Sequence, residues 1–200
     1  MDAGAFGSQA AAMTADTTTP RPQTTARLDR LVDEVRKVVR RGLPHDRTAR
    51  LVGERLGPHL GAADLLTGRQ SEGSPDHYRQ HVLHAEGDGS FSIVSLVWLP
   101  GQRTAVHDHV SWCVTGVHIG REDERRYEMR SEEEGTGRLV FTRDVVNDQG
   151  DVCGFAPPGD IHRVRNAGSG KAISLHVYGA DITRLGTSIR RVYEPPADER

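Results

Sequence analysis

The chain has 200 residues, of which 36% are hydrophobic and 27% charged, with a formal net charge of −2. That length suits one domain that buries its own core, with at most an appendage. A near-neutral balance leaves no basic footprint for nucleic acid or an anionic bilayer, and no apolar run approaches the roughly 20 residues that span a membrane. The N-terminus has no basic start followed by an apolar stretch, so no secretory signal is expected. The two cysteines, Cys113 and Cys153, make no disulfide framework and point to a reducing cytoplasm.

Residues 1–25 are rich in Ala, Thr, Gly and Pro and are expected to form a disordered tail, a docking tail being the alternative. Residues 26–75 read as a helical segment and linker. Leu28, Leu31, Val32, Val35, Val38 and Val39 follow a helical period that Gly42 ends and Pro44 blocks. A second helix is expected from about Asp46 to Leu60, with Leu51, Val52, Leu56 and Leu60 inward. Arg36, Lys37, Arg40 and Arg41 could meet an anionic partner, but interspersed acids favour a solvated face. Thr67 to Pro75 is a polar linker.

From about Asp76 the pattern changes to short strands between turn residues, and residues 76–200 are read as one β domain with a C-terminal extension. Tyr78 to Ala85 and Phe91 to Trp98 flank the hairpin signal Glu86-Gly-Asp-Gly89. Further strands are expected at Ser111 to Ile119, Glu124 to Met129, Arg138 to Thr142, Val152 to Phe155, Ile161 to Arg165, Ala172 to Tyr178 and Ser188 to Tyr193. Glu132 to Gly135 and Gly168 to Gly170 read as loops. Many short strands at this spacing predict a sandwich or barrel of the jelly-roll class.

The stretch Gly101 to Gly120 carries His107 and His109. On a strand their side chains share one face while Asp108 points the other way. Two neutral imidazoles so placed begin a transition-metal site. His162, after the Pro157-Pro-Gly159 turn, offers a third ligand. Of the other histidines, His45, His59, His77, His81, His84 and His118 read as surface or structural.

These two blocks resemble the paired motifs of the cupin superfamily. The first motif, G-x5-H-x-H-x3,4-E-x6-G, is met by Gly101, His107, His109 and Gly120, with Cys113 at the place of the glutamate. The second, G-x5-P-x-G-x2-H-x3-N, is met by Pro157, Gly159, His162 and Asn166, with Gly150 one residue early. The resemblance implies a mainly β fold, the double-stranded β-helix or jelly-roll barrel, preceded here by α-helices. Three neutral ligands leave a dication its full charge, which attracts a thiolate and leaves positions for O2. Fe(II) suits this, and Zn(II) in a hydrolytic site remains open.

From Tyr78 to Tyr178 the chain resembles the thiol dioxygenases, which include cysteine dioxygenase and 3-mercaptopropionate dioxygenase. His107-Asp-His109, the missing glutamate, His162 and Ser174-Leu-His-Val-Tyr178 carry the resemblance. It implies an Fe(II) enzyme that oxidises a small thiol with O2 to its sulfinic acid. Ser174, His176 and Tyr178 share one face of a strand and can form a hydrogen-bonded relay, or an ordinary polar lining. In the family this set acts beside the metal, and His176 is no fourth ligand.

The resemblance implies two further roles. Animal cysteine dioxygenases link a cysteine near the place of Cys113 to the tyrosine matching Tyr178; a small buried thiol is the alternative. Gln80 stands where cysteine dioxygenases place a carboxylate-binding arginine, and relatives with glutamine there prefer 3-mercaptopropionate or act on several thiols. A neutral amide lacks the charged bidentate pairing of a guanidinium. Arg79 should face away, and Arg184 could bring a charge to the carboxylate. The expected partners are a small thiol and O2, with no nucleic acid or membrane, in a cytoplasmic monomer or small homo-oligomer. The competing readings are a cupin that binds a small ligand as a regulator, and a metal-dependent isomerase or hydrolase.

Overall fold

A computed structural model describes residues 24–131 and 137–196. The expected N-terminal tail, but for Thr24 and Thr25, and the expected loop at Glu132 to Gly135 lie outside the described residues.

The first helix, α1, spans Ala26–Val39. Thr25 caps it, its Oγ1 accepting the Leu28 N–H at 3.1 Å. The second, α2, spans His45–Leu56. It ends earlier than its periodicity suggests, because Pro58 has no N–H to continue the ladder and the chain tightens into a 3-10 turn at Gly57–His59. Leu28, Leu31 and Val35 of α1 and Val52 and Leu56 of α2 are fully buried in one core with Ile93, Val114, Leu175 and Val177. Thus the helices share a core with the barrel and cover one of its outer faces. Gly116 makes this approach possible: a Cβ there would lie 2.8 Å from Leu60 Cδ1 and 2.9 Å from Leu56 Cδ2.

Ten strands follow among the described residues: β1 Arg79–Ala85, β2 Ser92–Trp98, β3 Val106–His109, β4 Cys113–Ile119, β5 Arg121–Ser131, β6 Gly137–Asp148, β7 Val152–Phe155, β8 His162–Arg165, β9 Ala172–Tyr178 and β10 Ile189–Tyr193. They form two five-stranded sheets, ordered β1-β2-β9-β4-β7 and β10-β3-β8-β5-β6, with antiparallel pairing throughout. The fold is mainly β, a jelly-roll barrel of the double-stranded β-helix kind with N-terminal helices, as expected. No helix among the described residues is long and apolar enough to cross a membrane.

Every residue of β2 and β9 is buried, because the helices lie on one side and the barrel interior on the other. Alternation then sorts their side chains. Ile93, Leu175 and Val177 face the helices, while Val94, Leu96, Trp98 and Tyr178 face the interior. The β5–β6 hairpin is longer than expected. Its extra length is dense in charge, with cross-strand ion pairs such as Arg125 Nε to Asp144 Oδ1 at 2.7 Å. A one-turn helix, α3 at Ile182–Leu185, was not expected; Asp181 caps it and Gly186 ends it at φ +79°.

Candidate metal centre

The sheet edge that carries His107 and His109 is organised around Asp108, between them on β3. This buried side chain points away from the barrel interior, and its Oδ2 accepts from Arg191 Nη2 at 2.6 Å, Arg191 Nε at 2.9 Å and the Tyr193 hydroxyl at 2.9 Å. Both partners lie on β10, which pairs along β3. The strand is therefore pinned from outside, and His107 and His109 turn inward together. On its other side β3 pairs with β8 through His107 and His162.

The three rings converge. Their centroids lie 4.7–5.0 Å apart, and one nitrogen from each falls within 4.8 Å of the others. Among the described residues no other group of three His, Cys, Asp or Glu side chains meets this closeness. Each Nδ1 has an acceptor: the Ala105 carbonyl for His107 at 3.0 Å, Asp160 Oδ2 for His109 at 3.1 Å, and Glu124 Oε1 for His162 at 2.7 Å. These bonds hold the proton on Nδ1 and turn each Nε2 lone pair to the common point. The Asp160 carboxylate also accepts the His109 backbone N–H at 2.9 Å.

The protonation states suit a cation. Burial, reinforced by the neighbouring rings, holds His107 well below the usual histidine range. Burial lowers His109 too, partly offset by its hydrogen bond to Asp160. Burial would raise Glu124, but hydrogen bonds from His162 and Arg126 outweigh it and hold its carboxyl at about 2. Three converging imidazoles, two backed by carboxylates and one by a backbone carbonyl, fit a divalent transition metal.

The rings open into a small cavity of about 30 Å³ whose wall includes Gln80, Tyr78, Trp98, His176, Tyr178 and Ser188. Gln80 lines it from β1, while the alternate residue Arg79 is exposed and lies 4.0 Å from Glu72. Tyr78 stacks on Trp98 with centroids 4.5 Å apart. Ser174, His176 and Tyr178 form one continuous line on β9. The Tyr178 hydroxyl lies 3.2 Å from His176 Nδ1, and His176 Nε2 lies 3.0 Å from Ser174 Oγ. Burial lowers His176 to about 3, with His109 and His162 adding to the effect, so this ring is neutral. Burial pushes the Tyr178 phenol well above its usual value.

Cys113 stands directly opposite Tyr178 in the β4–β9 pairing, so both side chains share the interior face. Burial raises its thiol well above the ordinary range. Arg184 does not come to the cavity. Its Nε pairs with Asp181 Oδ2 at 3.1 Å and its side chain is 65% exposed, because α3 carries it outward over its own cap. The expectation that it meets a substrate carboxylate is corrected accordingly.

Sequence reasoning missed Glu124 and Asp160. Asp160 had a faint signal, two residues before His162 in the same turn. Glu124 had none, since the run Arg121 to Arg126 looks like a solvated face.

This is a jelly-roll barrel with a buried three-histidine centre, the architecture of a cupin-type metalloprotein. The family model described as cysteine dioxygenase type I matches residues 74–186, and the chain belongs to that family. The family is one of iron-dependent dioxygenases that act on a small thiol. Among solved structures the chain is similar to a protein from Thermus thermophilus, at 23% identity and TM-score 0.41 over 56% of this chain and 91% of that one. It is also similar to an RmlC-like cupin protein from Desulfovibrio desulfuricans, at 17% identity and TM-score 0.40 over 60% and 98%. A cupin superfamily protein from Desulfitobacterium hafniense matches at 14% identity and TM-score 0.43 over 61% and 95%. Likenesses this distant carry no argument about function.

Proposed function

We propose that the protein is an Fe(II)-dependent thiol dioxygenase that oxidises a small thiol to its sulfinic acid and prefers 3-mercaptopropionate to L-cysteine. The observation that carries this reading is the meeting, in one cavity, of three inward imidazoles and the Tyr178–His176–Ser174 line. His107, His109 and His162 would hold the iron, which when bound would supply adjacent positions for a thiolate and O2, with O2 taking the four electrons that sulfur loses and both its atoms ending on sulfur.

The chain's own groups do the rest. Tyr178, kept as a phenol, offers a hydrogen bond at the cavity face. His176, kept neutral, relays protons between that phenol and Ser174. Gln80 offers a neutral amide to the carboxylate at the far end of the substrate, shared with Tyr178. Without a guanidinium the site lacks the charged fork that suits cysteine recognition in the family, which favours the thiol that has no amine. The Cys113–Tyr178 pairing supports the thioether link that the resemblance implies; intact-protein mass, lighter by one H2 when the link is present, separates it from a plain buried thiol. A cupin that merely binds a ligand has no use for a proton-conducting line beside its metal.

The test is metal analysis of protein purified without oxygen, followed by oxygen uptake against a panel of thiols. Iron and thiol-dependent uptake are expected, and His107→Ala should lose both. Bound zinc with no uptake for any thiol would overturn the proposal.

A further inference from the structure

One acidic side chain of the barrel interior has no part in the site described so far. Glu122 on β5 is 3% exposed, and its Oε1 is buried without a hydrogen-bond partner. Strand alternation puts it on the same inner face as Glu124, which supports His162. The Ser174 hydroxyl and the Trp98 indole N–H are the neighbouring donors that favour its charged form. Trp98 Nε1 also donates to Ser174 Oγ at 3.2 Å. Glu122 therefore stands at the closed end of the Ser174–His176–Tyr178 line, whose other end opens on the cavity.

Counting hydrogens gives this position a meaning. A serine oxygen has one hydrogen to give and accepts two, and a neutral imidazole has one donor and one acceptor nitrogen. With Glu122 ionised, Ser174 donates to it and accepts from Trp98 and His176 Nε2. His176 Nδ1 then accepts from Tyr178, whose oxygen presents a lone pair to the cavity. With Glu122 protonated, it donates to Ser174, Ser174 donates to His176 Nε2, and His176 Nδ1–H donates to Tyr178. The phenol hydrogen then points into the cavity. Both arrangements satisfy Ser174, His176 and Tyr178. They differ by one proton overall, and only Glu122 changes its charge.

We propose that Glu122 is the proton store of this line and takes up the thiol proton when substrate binds. The proposal rests on the thiol dioxygenase reading. The S–H bond breaks and sulfur keeps the electron pair as a thiolate. Its proton passes to Tyr178 Oη, the phenol proton to His176 Nδ1, the Nε2 proton to Ser174 Oγ and the serine proton to the Glu122 carboxylate. One negative charge disappears at Glu122 as another forms at sulfur, so the closed interior keeps its net charge.

The energetics allow both states near neutrality. Burial raises the Glu122 carboxyl to about 7; Ser174 and Trp98 pull it down and the Glu124 carboxylate pushes it up. Glu124 is the charged group facing it from its own strand. Ser174 of β9 and Trp98 of β2 face it as neutral partners, with neutral His176 behind Ser174.

The test uses iron-loaded full-length protein without oxygen, 3-mercaptopropionate as the probe, and a mildly alkaline pH below the thiol's own pKa. Infrared difference spectra on thiol binding should show a new protonated-carboxyl C=O band that shifts in heavy water. Glu122→Gln keeps the shape and a donor to Ser174 but has no carboxyl, so the band should be missing. Ser174→Ala, which cuts the line, should lose it too. In weak buffer with an indicator dye, the wild type should release no proton on binding and Glu122→Gln roughly one per thiol. Absence of the band in a wild type that binds thiol and consumes oxygen, or equal proton release by both proteins, would overturn the role of Glu122 alone. A wild type that binds no thiol would remove the dioxygenase reading and this one together.

Discussion

Replacing Glu124 with Gln should weaken metal binding without touching a ligand. Glu124 uses both oxygens: Oε1 accepts from His162 Nδ1 at 2.7 Å and Oε2 from Arg126 Nη2 at 2.8 Å. Glutamine has one oxygen, so it can serve only one of these donors well. Arg126 is partly exposed and can turn to solvent, so the amide oxygen stays with His162. What is lost there is the charge. A hydrogen bond to a charged group contributes about 1.5–3 kcal/mol and a neutral one about 0.5–1.5. The difference, about 1–1.5 kcal/mol, is roughly a tenfold weaker affinity for Fe(II). Glu124→Ala removes the bond entirely and should approach a hundredfold. Anaerobic competition against a chromophoric chelator measures both, with melting of the metal-free proteins as the control for folding. A Gln variant that melts like the wild type and holds iron just as tightly would refute the idea that Glu124 tunes the His162 ring.

Two other substitutions probe the cavity and its support. Gln80→Arg should move the ratio of kcat/KM toward L-cysteine by roughly tenfold, the worth of gaining a charged contact; oxygen uptake with both thiols measures it, and a wild type that already prefers L-cysteine would show that Gln80 does not set specificity. Gly179→Ala should destabilise the fold by about 1–3 kcal/mol or more, because the added Cβ would lie 2.1 Å from Trp112 Nε1 on a rigid, buried ring; an unchanged urea midpoint would mean that the indole has room to move.

The parts of this site that the sequence displays are those whose chemistry follows a local period. His107 and His109 are two apart on a strand, and so are Ser174, His176 and Tyr178, so alternation alone puts each set on one face. What the sequence hides is set by partners far along the chain. Glu124 reaches His162 across 38 positions, and Asp160 reaches His109 across 51. Glu122 and Glu124 sit in the run Arg-Glu-Asp-Glu-Arg-Arg, where every other residue is a charge facing outward or a counter-ion. A strand of alternating charges has no apolar face to betray which side is inside, and burial here comes from the barrel closing over β5. The same density of charge concealed the length of the β5–β6 hairpin. Arg184 misled in the opposite way: its position after Tyr178 suggested nearness to the cavity, but α3 turns it outward.

The last strand has a consequence for how this barrel can change. The family match ends at residue 186, and the next three residues, Thr187, Ser188 and Ile189, are part of the cavity wall. They lead into β10, which grips the strand of His107 and His109 from outside through Arg191, Tyr193 and Asp108. The last strand thus closes the barrel from outside while the residues at its start line the cavity. Thr187 is the place to reshape the entrance, because the Ser188 carbonyl holds the Val110 N–H and Ile189 pairs with His109. A change of side chain at Thr187 can therefore alter which thiols enter from the C-terminal side while the backbone contacts that hold the histidine strand stay in place.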